Sequence, residues 1–188
     1  MALQKKIDTW KLKKWFTVYA PKEFNNAVIG EMPANEDKAA IGRNIRVGLD
    51  IITHNPSHAY TNLKFKVVSI EGNSAHTKLM QIELLNSYIK SLVRHYRSIA
   101  SSVQTLETKD GVKIVAKVIA ITRNRATHRK LIGIRKEMEA FTASFAKEND
   151  INSIINAINE NKFQAELASK INHIAQISKV EVRKLEVK

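Results

Sequence analysis

The 188-residue sequence has no cysteine. That excludes a disulfide scaffold, a thiol nucleophile and every cysteine-ligated zinc or iron–sulfur site. Glycine is scarce, with six residues and no cluster, so there is no glycine-rich loop to cradle the phosphates of a nucleotide. Long hydrophobic runs are also missing: Lys or Arg interrupts each one well before the roughly 18 apolar residues of a membrane span. The N-terminus, MALQKKIDTWKLKKWF, has basic residues but no continuous apolar stretch behind them and no small-residue cleavage site, which argues against a secretory signal. These absences predict a soluble intracellular protein.

Acidic residues are the other shortage. Lys and Arg number 31 against 18 Asp and Glu, a formal net charge of +13. The hydrophobic fraction of 44 % is that of an ordinary folded protein, so the charge is carried by a chain with enough apolar material for a core. The excess is concentrated. Residues 1–22 hold six Lys and one Asp, and residues 90–136 hold twelve basic and two acidic residues, while 23–89 and 137–188 are each close to neutral. Two basic blocks on a neutral background suggest a surface built to meet a polyanion, with nucleic acid the first candidate.

Periodicity predicts an α+β chain: a mainly antiparallel, barrel-like sheet of about six or seven strands, with three or four helices and a basic N-terminal arm. Residues 1–20 read as the arm leading into a first strand at Trp15 to Tyr19, and residues 21–188 as a single α+β domain. Residues 22–42 contain Gly30, Pro33 and Gly42 and read as a long loop. Alternation of Ile45, Val47, Leu49 and Ile51 predicts a strand, followed by a turn at residues 54–57. A second strand runs around Leu63, Phe65 and Val67 and closes at Gly72-Asn73, and a third covers His76 to Leu85.

Residues 87–100 change period, with Ile89, Leu92, Val93, Tyr96 and Ile99 on one helical face and Ser87 placed to cap the start. Residues 102–108 and 112–122 form a hairpin turning at Lys109-Asp110-Gly111. The run VKIVAKVIAI is apolar on both faces apart from Lys113 and Lys117, as a central strand would be. A helix follows with the stripe Leu131, Ile134, Met138, Phe141 and Phe145, then helical stretches at 151–159 and 162–174 and a closing strand at 177–187.

Three groups of residues are candidates for holding phosphates. In the arm, Lys5, Lys6, Lys11, Lys13 and Lys14 are interleaved with Trp10, Trp15 and Phe16. The rings could stack on bases or pack inward; packing is expected for Trp15 and Phe16, and Trp10 is left open. On the helix 87–100, Lys90, Arg94 and Arg97 would form one stripe about 10 Å long at about 1.5 Å rise per residue, either a solvated face or a phosphate contact. The third group is the most specific: Arg123, Arg125, His128, Arg129, Lys130, Arg135 and Lys136 fall within fourteen residues with no acid among them. Several occupy the start of a helix, where the macrodipole disfavours cations. Glu137 and Glu139, which would suit that end, come later in the chain. An anion is what such an end would bind.

A search for catalysis yields little. His54 and His58 stand four apart, but Asn55-Pro56 breaks the helix that would bring them together, and they have no third ligand. Ser87 and Lys90 match a serine–lysine spacing without its companion motifs, and capping is the simpler role for Ser87. No cofactor, no metal and no small-molecule substrate are expected.

Several blocks together resemble one family. IGRNIRVGLDII at Ile41 to Ile52, MQIELLNSYIKSLVRHY at Met80 to Tyr96, TKDG at Thr108 to Gly111, TRNRATHRKLIGIRKEM at Thr122 to Met138, and KKWFTVYAPKEFNNAVIGE at Lys13 to Glu31 are similar in order and spacing to the S-three-Ae ribosomal proteins of archaea and eukaryotes. Arg46 and Gly48 depart from the family's pattern, which has an acidic residue and a small hydroxyl residue there. The short C-terminus suggests an archaeal-type member. The resemblance implies a structural, non-enzymatic component of the small ribosomal subunit, on its platform near the mRNA exit. It would be cytoplasmic, with residues 21–188 as the RNA-binding domain; its partners would be small-subunit ribosomal RNA, neighbouring platform proteins and, at the exit, mRNA, with no membrane partner. The arm would enter RNA crevices and order on binding. Two alternatives stay open from the residues alone: a free-standing basic nucleic-acid-binding factor, and a metal-dependent RNA-processing enzyme using scattered His and Asp.

Overall fold

The computed structural model describes Trp10 and residues 13–187. Lys5, Lys6 and Lys11 of the expected arm lie outside the described residues. In chain order the elements are β1 (Lys14–Tyr19), β2 (Val28–Ala34), α1 (Asp37–Ala40), β3 (Asn44–Gly48), α2 (Leu49–Thr53), β4 (Thr61–Glu71), β5 (Ser74–Leu84) and α3 (Asn86–Leu92). They continue with β6 (Ile99–Glu107), β7 (Lys113–Thr122), α4 (His128–Glu148), α5 (Ile151–Asn159), α6 (Lys162–Ile171) and β8 (Ile177–Val187). The mixed α+β class is as expected. The described residues contain eight strands and six α-helices, more of each than periodicity predicts.

The sheet is open, not barrel-like, and it forks at β5. Along one side of β5 runs β4, paired antiparallel from Thr61↔Leu84 to Glu71↔Ser74, with β3 beyond it. The other side is shared. β1 lies parallel against its first residues, Thr17↔Ser74 to Tyr19↔His76, and β8 lies antiparallel against its last, Gln81↔Glu186 to Glu83↔Lys184. β2 continues the first branch, and β7 and β6 continue the second. Eleven residues make β5 long enough to serve both. Gly72, at φ +59°, makes the tight connection from β4 to β5.

Three segments differ from the sequence expectation, each for a physical reason. The supposed loop 22–42 contains β2. Its proline is tolerated because β2 is an edge strand paired only with β1, with Pro33 opposite Trp15. The strand expected through Ile51 stops at Gly48, and the chain turns into α2, which buries Leu49 and Ile52 three apart and leaves Ile51 56 % exposed. The helix expected over 87–100 ends at Leu92. Ile99 is claimed by β6, where it pairs with Ile121, and that strand pairing overrides the helical spacing. Its N-cap position is Leu85, with no side-chain bond, so Ser87 does not cap it.

The hairpin β6–β7 turns at Gly111 (φ +71°) as expected, and Asp110 accepts a 3.1 Å hydrogen bond from the Ile151 N–H at the start of α5. β7 lies between β6 and β8 and is buried on both faces, as its sequence requires. Helix α4 buries Ile134, Met138, Phe141, Thr142 and Ala146, largely the predicted stripe. The main core forms where α4 and α6 pack on β6 to β8, with Phe141, Phe145 and Phe163 clustered at centroid distances of 5.1–5.8 Å. A smaller core of Phe16, Val18, Met32, Ala34, Ala40, Val67 and Ala75 sits under the β1–β2 branch.

Candidate nucleic-acid interface

β6 begins and β7 ends at the same end of the sheet, because Ile99 pairs with Ile121. The loops beyond both strands are therefore neighbours, and Thr122 and Ser98 fasten them together. The Thr122 N–H donates to the Ser98 carbonyl at 2.9 Å, and the Ser98 N–H donates to the Thr122 hydroxyl at 3.0 Å. The same hydroxyl lies 2.6 Å from the Asn124 carbonyl, and the Ala126 N–H donates to the Ser98 hydroxyl at 3.1 Å. From the far side, the Arg123 N–H donates to the Gln176 carbonyl at 2.9 Å, tying the junction to the entry of β8.

This arrangement unites residues that periodicity assigns to separate surfaces. Arg94 and Arg97 are not on a helical stripe with Lys90: α3 has ended, and both lie in the loop that leads to Ser98. Arg94 is exposed, and the Arg97 guanidinium donates to the Leu92 carbonyl at 3.4 Å. Lys90 remains on α3, exposed. Facing that loop across the Ser98–Thr122 bonds are exposed Arg123 and Arg125, followed by exposed His128, Arg129 and Lys130 in the first turn of α4. Thr127, at the N-cap, makes no side-chain cap bond and the first turn carries no acid, so the helix end offers backbone N–H groups and cations together. A shallow cavity of about 250 Å³ opens here between Asn124, Arg125, Ala126, Lys130, Ala175 and Gln176. Arg135 is half-buried with its Nε unpartnered, and Lys136 is exposed.

Sequence reasoning misses two residues at this junction, His95 and Tyr96. Helical spacing puts Tyr96 on a buried face; it is 73 % exposed at φ +65°, edge-on to the exposed His95 at a centroid distance of 4.2 Å. A bulky residue at positive φ is strained, and in this conformation the ring is exposed, next to Arg97 and two residues from Arg94 in the chain. No signal in the sequence marks it, since the spacing of Tyr96 is that of a helix.

Of the N-terminal lysines, the two that are described lie elsewhere. Lys13 and Lys14 adjoin or open β1, which β5 and β8 separate from β7 in the strand order. Phe16 is fully buried, as expected, but Trp15 is 53 % exposed and does not pack inward. Trp15 meets the exposed Trp10 edge to face at 6.4 Å, and the Lys13 ammonium sits 4.0 Å above the Trp10 ring.

A second polar cluster joins α3 to β8. Tyr88 stacks on Tyr60 at 4.4 Å, and its hydroxyl donates to Glu181 at 3.2 Å and accepts from Lys179. Lys179 also reaches Glu181 at 2.8 Å. Burial works against the Lys179 charge, but the hydrogen bonds to Glu181 and Tyr88 outweigh it and hold its pKa above the ordinary 10.5. Its geometry is that of a brace between elements. Among the described residues no three His, Asp or Glu converge as metal ligands, and no helix is long and apolar enough to cross a membrane.

Residues 2–188 match the Ribosomal S3Ae family. Similar curated proteins, each called small ribosomal subunit protein eS1, include that of Pyrobaculum aerophilum, 36 % identical over 97 % of this chain and 82 % of its own length. The protein of Aeropyrum pernix is 34 % identical over 94 % of this chain and 85 % of its own length. That of Methanococcus vannielii is 32 % identical over 96 % and 82 %.

Proposed function

The chain belongs to the Ribosomal S3Ae family, and from that premise we propose that it is a ribosomal-RNA-binding constituent of the small subunit. It is a structural ribosomal component and not an enzyme. The observation that carries the RNA-binding reading is the junction at Ser98 and Thr122, where two basic loops and the uncapped start of α4 meet with no carboxylate between them. Stability alone would put acids at that helix start. An RNA backbone supplies the missing negative charge, and such contacts position a protein by RNA shape without reading bases. Arg94, Arg97, Arg123, Arg125, His128, Arg129 and Lys130 form this surface, with Arg135 and Lys136 further along α4 and Lys90 on α3.

The N-terminal segment, with Lys5, Lys6, Lys11, Lys13 and Lys14, acts as a basic arm that reaches into RNA crevices and leads into β1, which is part of the folded body. The exposed Trp10 and Trp15 give the arm rings on which bases can stack. The place on the subunit is the platform near the mRNA exit, among other platform proteins. The test is the salt dependence of binding to a small-subunit ribosomal RNA transcript. Replacing Arg123, Arg125, Arg129 and Lys130 together by Ala should weaken binding and flatten the log–log salt slope by about 0.7–0.9 for each phosphate that the variant no longer neutralises. An unchanged affinity and slope would contradict the assignment.

A further inference from the structure

Residues 23–89 are close to neutral as a segment, yet the register of β3, β4 and β5 sorts their charges onto one face. On β4, Leu63, Phe65 and Val67 point to the core, so Lys64 and Lys66 point outward. Arg46 lies directly opposite Lys64 on β3, and Lys78 lies directly opposite Lys66 on β5. Four cations thus occupy three adjacent strands, about 4.8 Å apart across the sheet and about 6.6 Å apart along it. Like charges placed directly opposite one another destabilise a sheet. Among the described residues none of the four makes an ion pair within 4 Å.

Elsewhere in the same sheet three lysines have acidic partners. Lys113 is opposite and paired with Glu107. Lys184, which faces Lys117 on one side, has Glu83 opposite on the other and is paired with Glu186. Lys179 is paired with Glu181. On β3 to β5 the opposed cations are, among the described residues, in no ion pair, and the one carboxylate of β5, Glu83, accepts a hydrogen bond from Gln81 and lies opposite Lys184.

We propose that the outer face of β3–β4–β5, through Arg46, Lys64, Lys66 and Lys78, is a second RNA-backbone surface, distinct from the Ser98–Thr122 junction. The inference rests on the RNA-binding reading above and adds to it that the protein grips two separate RNA segments. The two surfaces are on different parts of the forked sheet: one spans β3 to β5, the other lies at the ends of β6 and β7. The sheet fixes the Cα positions of the four cations before RNA arrives, so only their side chains have to order on contact.

The experiment uses the full chain and the small-subunit ribosomal RNA transcript. Lys64→Gln, Lys66→Gln and Lys78→Gln together keep most of the aliphatic stems while removing the charges. The expected result is weaker binding with the log–log salt slope reduced by about 2 to 3, and a thermal midpoint no lower than that of the parent. A second variant, Lys66→Glu, places a carboxylate opposite Lys78 and should bind RNA less tightly while melting at higher temperature. Combined with the Arg123, Arg125, Arg129 and Lys130 replacements, the triple variant's reduction in slope should add to theirs.

Parental affinity and slope in the triple variant, with the Arg123-to-Lys130 variant weakened, would overturn this second surface and leave the first standing. Parental RNA binding with loss of the triple variant from assembled subunits would also overturn it, in favour of an acidic protein partner. A parent protein that does not bind the transcript would remove the RNA-binding reading itself.

Discussion

Thr122 shows how much one side chain can decide. It is 1 % exposed, and its hydroxyl meets the Ser98 N–H, the Ser98 carbonyl and the Asn124 carbonyl. Valine has nearly the same shape and none of these bonds. Thr122→Val should cost about 1–3 kcal/mol of stability, the usual result of leaving buried polar groups unpaired, and should weaken RNA binding although Thr122 itself is too buried to touch RNA; equal affinity for parent and variant would separate the staple from the binding surface. Lys179 makes a different point. Its folded pKa is raised above 10.5, so its contribution to stability is fully present below about pH 10.5 and is lost as pH rises through the folded value. Glu181→Gln removes the charge partner, so the Lys179 pKa should drop, which an NMR titration of the ammonium would report.

At the scale of elements, α4 sets stability against binding. Its first turn holds His128, Arg129 and Lys130 where the helix dipole favours acids. Arg129→Glu should therefore raise stability by about 0.3–1 kcal/mol while weakening RNA binding; a variant with parental stability and parental affinity would show the charge there to be indifferent. The existence of α4 and most of its buried stripe are legible in the sequence because a 21-residue amphipathic helix repeats its signal over many turns. Helix α3 is legible only in part. Seven residues are too few to outvote the accident that Tyr96 and Ile99 continue its spacing, and Ile99 is fixed by a partner strand far along the chain. For the same reason Lys90, Arg94 and Arg97 do not share one helical stripe. Edge strand β2 is hidden by Pro33, which an edge tolerates and a central strand would not.

For the whole molecule, segment sums of charge find the basic loops at 94–97 and 123–130 and miss the face of β3 to β5, because a sum along the chain does not see cross-strand register. The forked sheet is equally out of reach, since nothing in the local pattern of β5 says that one side will be shared by two partners. The family match covers residues 2–188 and agrees with the function that the charge pattern suggests. The measurement that tests the account most directly is a map of peptides crosslinked to ribosomal RNA in intact small subunits isolated by sedimentation at moderate salt. The protein should travel with the small subunit, and crosslinks should concentrate on peptides spanning Arg94–Arg97 and Arg123–Lys136; a chain that sediments free of the subunit, or that crosslinks to ribosomal RNA only outside those peptides, would contradict it.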